Sequence, residues 1–231
     1  MSRPTALVTG ASAGFGAALA RALIEQGWRV LGTARRADRL TRVAAELGPD
    51  FRAIPGDVTD PADRARLADA ARAASELDLV VNNASRLGPS PLPHLADYPL
   101  DEFERVLRTN VLSPLAILQF TLPLLHPGGA VVNISSDAAS EPYPEWGGYG
   151  SSKAALDQLT AILGAERPDL SIYAFDPGDM RTEMHQAAFL GVDISDRPEP
   201  ATVVPALLRL LAQRPRSGRY AAADFVAGRA S

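Results

Sequence analysis

Two side chains that could move a proton stand four residues apart: Tyr149 and Lys153, in the segment YGSSK. Residues at this spacing share one face of an α-helix, so a helix here would bring a phenol and an ammonium group together. A free phenol has a pKa near ~10, and a neighbouring cation would favour the phenolate and lower that pKa. The pair therefore predicts acid–base chemistry. The same spacing also arises without function, and the rest of the sequence decides between these readings.

The elements that would position this pair alternate between short apolar runs and longer stretches of helical periodicity. We predict strands over 5–10, 28–34, 51–58, 77–84, 128–136, 170–178 and 218–222. We predict helices over 14–27, 37–48, 100–125, 149–166 and 201–213, and a further helix capped by Asp60. The longest of these helices should bend or break near Pro114 and Pro123.

This alternation, with nearly continuous apolar strands, predicts a parallel sheet covered on both faces. The fold class is therefore α/β, a Rossmann-like doubly wound sheet in three α/β/α layers. Neither repeats nor low-complexity linkers divide the sequence, so we expect a single domain over 1–231. The stretch 184–200 mixes polar and apolar residues and is expected to form an irregular substrate loop.

Composition excludes several classes of function. The formal net charge is −4, from 23 basic and 27 acidic residues without a basic block, so neither nucleic acid nor membrane is an expected partner. The chain has no cysteine, and His94, His126 and His185 are far apart, so we expect no metal site. No apolar run approaches the ~18 residues of a membrane span, and the first residues show no targeting pattern. A cytoplasmic protein is expected.

A glycine-rich turn, TGASAGFG, lies between the first predicted strand and helix. Gly10 would permit the tight turn, Gly14 would let the backbone approach a pyrophosphate, and Gly16 would let the helix pack closely on the sheet. The free amides at the helix start would attract phosphate. The alternative is a turn without a ligand, but the strand–turn–helix context favours dinucleotide binding. Candidate binding residues in this turn are Thr9, Gly10, Ser12, Gly14, Phe15 and Gly16.

The end of the second strand selects between the two nicotinamide dinucleotides. An acidic residue there would bind the ribose hydroxyls of NAD, but the sequence has Ala34 at that position, followed by Arg35 and Arg36. Guanidinium groups can bind a 2′-phosphate in bidentate fashion. The alternative is a pair of solvated arginines at a helix start. We predict that NADP(H) is preferred over NAD(H).

Taken together, the motifs identify a family resemblance over nearly the whole chain. In order, they are Thr9-Gly10-x-x-x-Gly14-x-Gly16, Asp57-Val58, Asn82-Asn83-Ala84, Asn110, Ser135-Ser136, Tyr149-x-x-x-Lys153 and Pro177-Gly178-x-x-x-Thr182. Their order and spacing resemble those of the classical short-chain dehydrogenases/reductases. The resemblance implies hydride transfer between a nicotinamide and a carbonyl or alcohol substrate.

The resemblance also implies a role for each catalytic candidate. Tyr149 would be the acid/base, and Lys153 would be its electrostatic partner and would hold the nicotinamide ribose. Ser136 would hydrogen-bond the substrate oxygen, and Asn110 would hold a water in a proton relay to Lys153. Without the other motifs, Asn110 would be read as a helix-bending residue and Ser136 as a strand-end cap.

Further positions correspond to cofactor-binding positions of the family. These are Asp57 and Val58 at the adenine, Asn83 and Ala84 near the adenosine ribose, and Pro177, Gly178 and Thr182 at the nicotinamide amide. The chain departs from the family's usual Asn-Asn-Ala-Gly, because serine occupies position 85. Ser85 adds a side chain near the nicotinamide ribose and should resist a positive φ.

Substrate and assembly are less constrained. Candidate pocket residues are Tyr143, Trp146, Met184 and Phe189, with His94 as a further candidate, although each could be an ordinary packing residue. The stretch 141–184 is similar to the sepiapterin reductase branch, which implies a pterin ketone as an alternative substrate. A second alternative is a non-catalytic NADP-binding sensor or scaffold.

The wide apolar surfaces of 100–125 and 149–166 predict a homodimer or homotetramer, as the family resemblance also implies.

Overall fold

The computed structural model describes residues 3–225 and places seven parallel strands in one sheet. The strands are β1 (Thr5–Thr9), β2 (Arg29–Ala34), β3 (Phe51–Pro55), β4 (Leu77–Asn82), β5 (Leu125–Ile134), β6 (Ser171–Asp176) and β7 (Gly218–Ala221). Their order in the sheet is β3-β2-β1-β4-β5-β6-β7. The order reverses between β1 and β4, which opens a crevice at the carboxyl ends of the strands.

Helices cover both faces of this sheet. They are α1 (Gly14–Glu25), α2 (Ala37–Leu47), α3 (Pro61–Ala73), α4 (Leu100–Leu107), α5 (Ser113–Thr121), α6 (Gly147–Glu166), α7 (Glu183–Ala188) and α8 (Pro200–Gln213). The two-residue period of a strand divides its side chains between two cores. Ala6 and Val8 enter the core on one face, while Leu7 enters the core on the other. The doubly wound α/β prediction is confirmed.

The region predicted as one long helix, 100–125, is interrupted at both expected places. A π-helical turn, Arg108–Leu112, joins α4 to α5, and Pro114 is the second residue of α5. A 3-10 turn, Leu122–Leu124, contains Pro123 and leads directly into β5, which begins three residues before the predicted start at 128. Proline lacks a backbone donor, so neither position can continue a regular helical ladder.

The predicted loop over 184–200 begins with a helix rather than an irregular segment. Thr182 caps α7, since its hydroxyl accepts a hydrogen bond from the His185 N–H at 3.1 Å. The rest of the stretch, up to α8, is irregular. Within residues 3–225, none of the helices combines the length and hydrophobicity needed to cross a bilayer.

Candidate active site

A cavity of about 1480 Å³ lies at the carboxyl ends of the strands. One end is formed by the glycine-rich turn and the residues that follow β2 and β3. The other end is formed by the start of α6, the residues after β6, and α7. The predicted residues on its wall are Gly10, Ser12, Gly14, Phe15, Arg35, Arg36, Asp57, Val58, Asn83, Ala84, Ser136, Tyr143, Trp146, Tyr149, Lys153, Pro177, Gly178, Thr182, Met184 and Phe189.

Three predicted residues do not line this cavity but support its wall. The Thr9 hydroxyl accepts hydrogen bonds from the N–H groups of Asn83 and Ala84, each at 2.9 Å, and so joins β1 to the end of β4. Gly16 leaves no room for a Cβ atom, because the Asn83 amide and the Gly10 carbonyl would both clash with it. The third residue, Asn110, lies behind the loop that follows β4.

The glycine-rich turn leaves the start of α1 open to the cavity. Gly10 has a φ of +68°, and a Cβ there would lie 2.6 Å from the Asn83 amide nitrogen. Gly14 has a φ of +55° and faces only the Thr182 methyl group, 3.5 Å from where its Cβ would be. No side chain caps α1, so its first N–H groups are free to bind an anion. This arrangement fits a dinucleotide pyrophosphate.

The two arginines after β2 have acidic neighbours that the sequence pattern did not reveal. Arg36 forms an ion pair with Glu183 of α7 at 2.7 Å, and Arg39 contacts the same carboxylate. These guanidinium groups lower the pKa of Glu183. Arg35 is 4.0 Å from the Asp57 carboxylate. Both predicted arginines are solvent-exposed at the cavity rim, where a 2′-phosphate could displace or share these contacts.

Lys153 is buried beside Tyr149 on α6. Its Nζ lies 5.4 Å from the centre of the phenol ring and donates a hydrogen bond to the Ile134 carbonyl at 2.7 Å. With only 2% of its surface exposed, Lys153 is largely removed from water. This burial lowers the pKa of Lys153 to about 8, against an opposing effect of the Asp157 charge. It is also the chain's only lysine, since the other basic residues are all arginine.

The pKa of Tyr149 shifts in the direction opposite to the sequence-based prediction. Removal of the phenol from water raises its pKa, and the charges of Asp176 and Asp137 act in the same direction. The nearby hydroxyl groups of Ser85 and Ser136 oppose this rise. The prediction of a lowered pKa considered only the lysine charge; in the ligand-free protein the cost of burying a phenolate is larger.

Ser136 lies two residues after the end of β5, and its hydrogen bonds would have to change before it could bind the substrate oxygen. Its hydroxyl donates to Asp137 at 3.0 Å and accepts from the Ala138 N–H at 3.2 Å, so it also caps the short turn that follows. Asp137, which sequence reasoning missed, also accepts hydrogen bonds from the Ala138 N–H at 2.8 Å and from the Tyr143 hydroxyl at 3.0 Å. The only sequence signal for Asp137 was its position directly after Ser136.

The side chain of Asn110 already has a full set of partners. Its Nδ2 donates to the Arg86 carbonyl and the Ser152 hydroxyl, each at 2.9 Å. Its Oδ1 accepts from the Arg86 N–H at 2.8 Å and the Ser85 hydroxyl at 3.1 Å. An amide has two donor hydrogens and two acceptor lone pairs. A water in the predicted relay would therefore have to be held by another atom, since this side chain anchors the loop after β4 to α6.

The remaining dinucleotide candidates line the cavity on either side of the glycine turn. The Asp57 carboxylate accepts hydrogen bonds from the N–H and hydroxyl of Thr59, both at 2.8 Å, which fixes its orientation. Gly178 has a φ of +71°, and its N–H donates to the Asp176 carboxylate at 2.9 Å. This turn directs the chain after β6 toward the start of α7.

Aromatic side chains enclose the end of the cavity near Tyr149. The Trp146 ring centre lies 5.8 Å from that of Tyr149 and 6.0 Å from that of Phe189. Met184 and His185 of α7 complete this wall. His94 does not line the cavity: its exposed side chain lies 3.7 Å from Glu145 at the surface. This candidate was therefore wrong, because the turn that contains it packs outside the site.

Comparison with known proteins identifies the family. A family model described as short chain dehydrogenase matches residues 4–192. Serine 3-dehydrogenase of Agrobacterium fabrum is 40% identical over 184 residues, which are 78% of this chain and 73% of that protein. A short chain dehydrogenase from Shigella flexneri 2a complexed with NADP has a TM-score of 0.89 at 27% identity, covering 96% of this chain and 98% of that one. Another, from Escherichia coli CFT073 and complexed with NADPH, also has a TM-score of 0.89 at 27% identity, covering 96% and 97%.

These findings agree with the observed architecture. The family model spans the glycine-rich turn, the Tyr149–Lys153 pair and six of the seven strands. The structural similarity extends over nearly the whole chain. The chain therefore belongs to the short-chain dehydrogenase/reductase family, and it is an NAD(P)-dependent oxidoreductase that acts on CH–OH or C=O groups.

Proposed function

We propose that this protein transfers a hydride between NADP(H) and a small carbonyl or alcohol substrate, with Tyr149 as the acid/base. One observation carries the proposal. The Tyr149 phenol and the buried Lys153 ammonium share a cavity with an uncapped helix N-terminus. Such a cavity can bind a dinucleotide and place a proton donor beside the substrate oxygen.

The chain's own residues would divide the work as follows. Bound nicotinamide supplies or accepts the hydride. During reduction, the Tyr149 hydroxyl gives its proton to the oxygen of the substrate, and the charge of Lys153 stabilises the phenolate that remains. Ser136 would orient the substrate oxygen, which requires its hydroxyl to turn away from Asp137. The pyrophosphate of the cofactor would bind at the start of α1, and its adenine would contact Asp57.

Preference for NADP(H) over NAD(H) rests on Arg35 and Arg36. Both guanidinium groups stand at the rim of the cavity beyond β2, and Ala34 leaves no acid to bind a ribose 2′-hydroxyl. The NADP and NADPH complexes of the two structural neighbours support the same choice. A homodimer or homotetramer and a cytoplasmic location remain predictions from the sequence.

Tyr149→Phe tests the acid/base assignment. The variant removes only the hydroxyl, so NADPH affinity should stay unchanged while turnover falls by roughly 10²- to 10⁴-fold. Turnover would be followed by NADPH absorbance in both directions. The oxidation assay uses NADP⁺ with serine, which the name of the Agrobacterium fabrum relative suggests as a first substrate to try. The reduction assay uses NADPH with a panel of carbonyl compounds. Tyr220→Phe is a matched control, because this tyrosine lies outside the cavity, where its hydroxyl donates to the Arg216 carbonyl at 2.8 Å. Near-normal turnover in Tyr149→Phe would show that another group transfers the proton.

One observation favours a planar heterocycle as the substrate, in line with the pterin alternative. The rings of Trp146 and Phe189 stand at the substrate end of the cavity, 6.0 Å apart and tilted by 48°. Flat faces of this kind favour stacking of an aromatic ligand. Including a pterin ketone in the carbonyl panel tests this choice. Absence of turnover with every compound, together with tight NADPH binding, would instead favour a non-catalytic sensor.

A further inference from the structure

Arg219 of β7 joins three elements of the site through one guanidinium group. Its Nη2 donates to the Ser136 carbonyl at 3.0 Å and to the Asp176 carboxylate at 3.1 Å. Its Nε donates to the Asp157 carboxylate at 3.0 Å. Ser136 follows β5, Asp176 ends β6 and Asp157 lies in α6. Arg219 lies outside every motif that identified the family, so the sequence gave no reason to single it out.

The bond to Ser136 fixes its backbone where the sheet no longer does. The last residue pair between β5 and β6 is Ile134 with Phe175, and the Ser135 N–H still donates to the Phe175 carbonyl at 2.8 Å. The Ser136 carbonyl lies beyond this pair and accepts from Arg219 instead. With the backbone held in this way, only the Ser136 hydroxyl has to rotate to meet the substrate oxygen.

The two carboxylates that Arg219 contacts are largely buried. The side chain of Asp176 is 9% exposed and that of Asp157 is 17% exposed. Asp176 also accepts the Gly178 N–H at 2.9 Å, but within residues 3–225 the other oxygen of Asp157 has no hydrogen-bond partner. Burial raises the pKa of Asp176, whereas the Gly178 N–H and the Arg219 charge lower it. Because buried anions are costly without a partner, Arg219 stabilises both charges.

The same carboxylates act on the acid–base pair. Burial raises the pKa of Tyr149, and nearby carboxylate charges add to this rise. Burial lowers the pKa of Lys153, and a carboxylate one helical turn further along α6 opposes this fall. A guanidinium in hydrogen-bond contact with a carboxylate offsets part of its field. The carboxylates whose charges act on the pair are Asp137, Asp157 and Asp176, and Arg219 contacts the last two.

We propose that Arg219 is a positioning residue of this active site: its guanidinium fixes the Ser136 backbone and balances the two buried carboxylates beside the Tyr149–Lys153 pair. Arg219 does not itself line the cavity, so it acts through these neighbours. Without the guanidinium, both carboxylates disfavour the Tyr149 phenolate and favour the Lys153 ammonium more strongly. The proposal rests on the proposed function only in that Ser136 and Tyr149 must act on the substrate.

NMR of [¹³Cε]lysine-labelled, ligand-free protein tests the electrostatic part without a substrate. In Arg219→Met the Lys153 titration midpoint should lie about 0.5 pH units above that of wild type. Arg219→Gln removes the charge but keeps donor hydrogens, and it should give the same shift if Arg219→Met is too unstable to titrate. Arg216→Met is a matched control and should leave the midpoint unchanged, because Arg216 is exposed and its hydrogen bond to Tyr220 uses the backbone carbonyl. An unchanged Lys153 midpoint in the Arg219 variants would overturn the proposal.

Kinetics test the positioning of Ser136 and separate this proposal from the proposed function. With the substrate that the wild type turns over in the assays above, Arg219→Met should lower kcat by about five- to tenfold. The limb of the pH profile that reports Tyr149 should move upward by about 0.5 units. Arg219→Lys keeps the charge but loses the planar fork, so it should restore this limb more fully than kcat.

A merely structural role would give a different result. Arg219→Met would then lower the urea midpoint of unfolding but keep the wild-type kcat and pH profile, and this outcome would overturn the proposal. Full turnover in Tyr149→Phe would refute the proposed acid, while the Lys153 titration would still decide whether Arg219 balances the carboxylates. With Tyr149→Phe inactive, a wild-type pH profile in Arg219→Met would refute only the role of Arg219.

Discussion

Lys153→Met should make the ligand-free protein more stable at neutral pH. Burial lowers the pKa of Lys153 from 10.5 to about 8, and each pKa unit corresponds to 1.36 kcal/mol. Keeping the ammonium charged in the folded state therefore costs about 3 kcal/mol. Methionine also loses the hydrogen bond to the Ile134 carbonyl, worth about 1 kcal/mol. The expected net gain in the free energy of unfolding is about 2 kcal/mol.

The pH dependence of this gain follows from proton linkage. Between about pH 8 and pH 10.5, the unfolded chain keeps the lysine proton that the folded protein has released. Wild-type stability relative to Lys153→Met should therefore rise with pH across this window. The cost is fully present below the folded pKa and disappears above the unfolded one. Comparing the two proteins cancels the contributions of groups that titrate equally in both.

Urea denaturation at a series of pH values between 7 and 10 measures this difference directly. Arg42→Met is a matched control, because Arg42 is an exposed cation paired with Asp38 on α2. It should change the free energy of unfolding by less than about 1 kcal/mol and show no such pH dependence. A Lys153→Met variant that is less stable than wild type at pH 7 would contradict the burial argument.

The single lysine allows an independent measurement of the same pKa. In [¹³Cε]lysine-labelled protein only Lys153 contributes a side-chain signal, and its titration midpoint should lie near 8. Asp157→Asn removes a charge that raises this pKa, so the midpoint should fall further. A midpoint at the ordinary lysine value, ~10.4, would show that the ammonium is solvated in the absence of cofactor, and the reasoning would fail.

Three further predictions concern the cofactor and the assembly. Glu183 competes for Arg36 and repels a phosphate, so Glu183→Gln should increase the affinity ratio of NADPH to NADH by roughly two- to fivefold. The wild type should bind NADPH about tenfold or more tightly than NADH, and Arg35→Asp should reduce this preference. Equal wild-type affinities for the two cofactors, measured by fluorescence titration, would contradict the assignment of Arg35 and Arg36 to the 2′-phosphate. Leu112 and Leu115 of the 108–121 region and Ile162 of α6 are exposed apolar residues, so we expect these helices to pair between subunits. Light scattering during gel filtration should give a molar mass that is two or four times 24.4 kDa. Leu115→Glu should shift this mass toward that of the monomer. A monomeric wild type would refute the pairing.

Local patterns in the sequence were enough to predict the architecture and most of the residues that line the cavity. Strand and helix periodicities are local, so the alternation of β1 to β7 with helices was readable without any contact. The glycine turn and the Tyr149–Lys153 spacing are equally local patterns. Their order along the chain identified the family, and with it the carboxyl edge of the sheet as the place of the cavity.

The electrostatics and the partners of these residues depend on contacts between distant segments, which local patterns do not reveal. The sign of the Tyr149 pKa shift depends on burial, which outweighs the nearby lysine. The Arg36–Glu183 pair joins residues separated by 147 positions, and Ser85 meets Asn110 across 25. Such contacts depend on how α6, α7 and the loop after β4 pack against one another. A one-residue motif carries no information about this packing, and so the sequence could register Ser85 only as a departure from the family pattern.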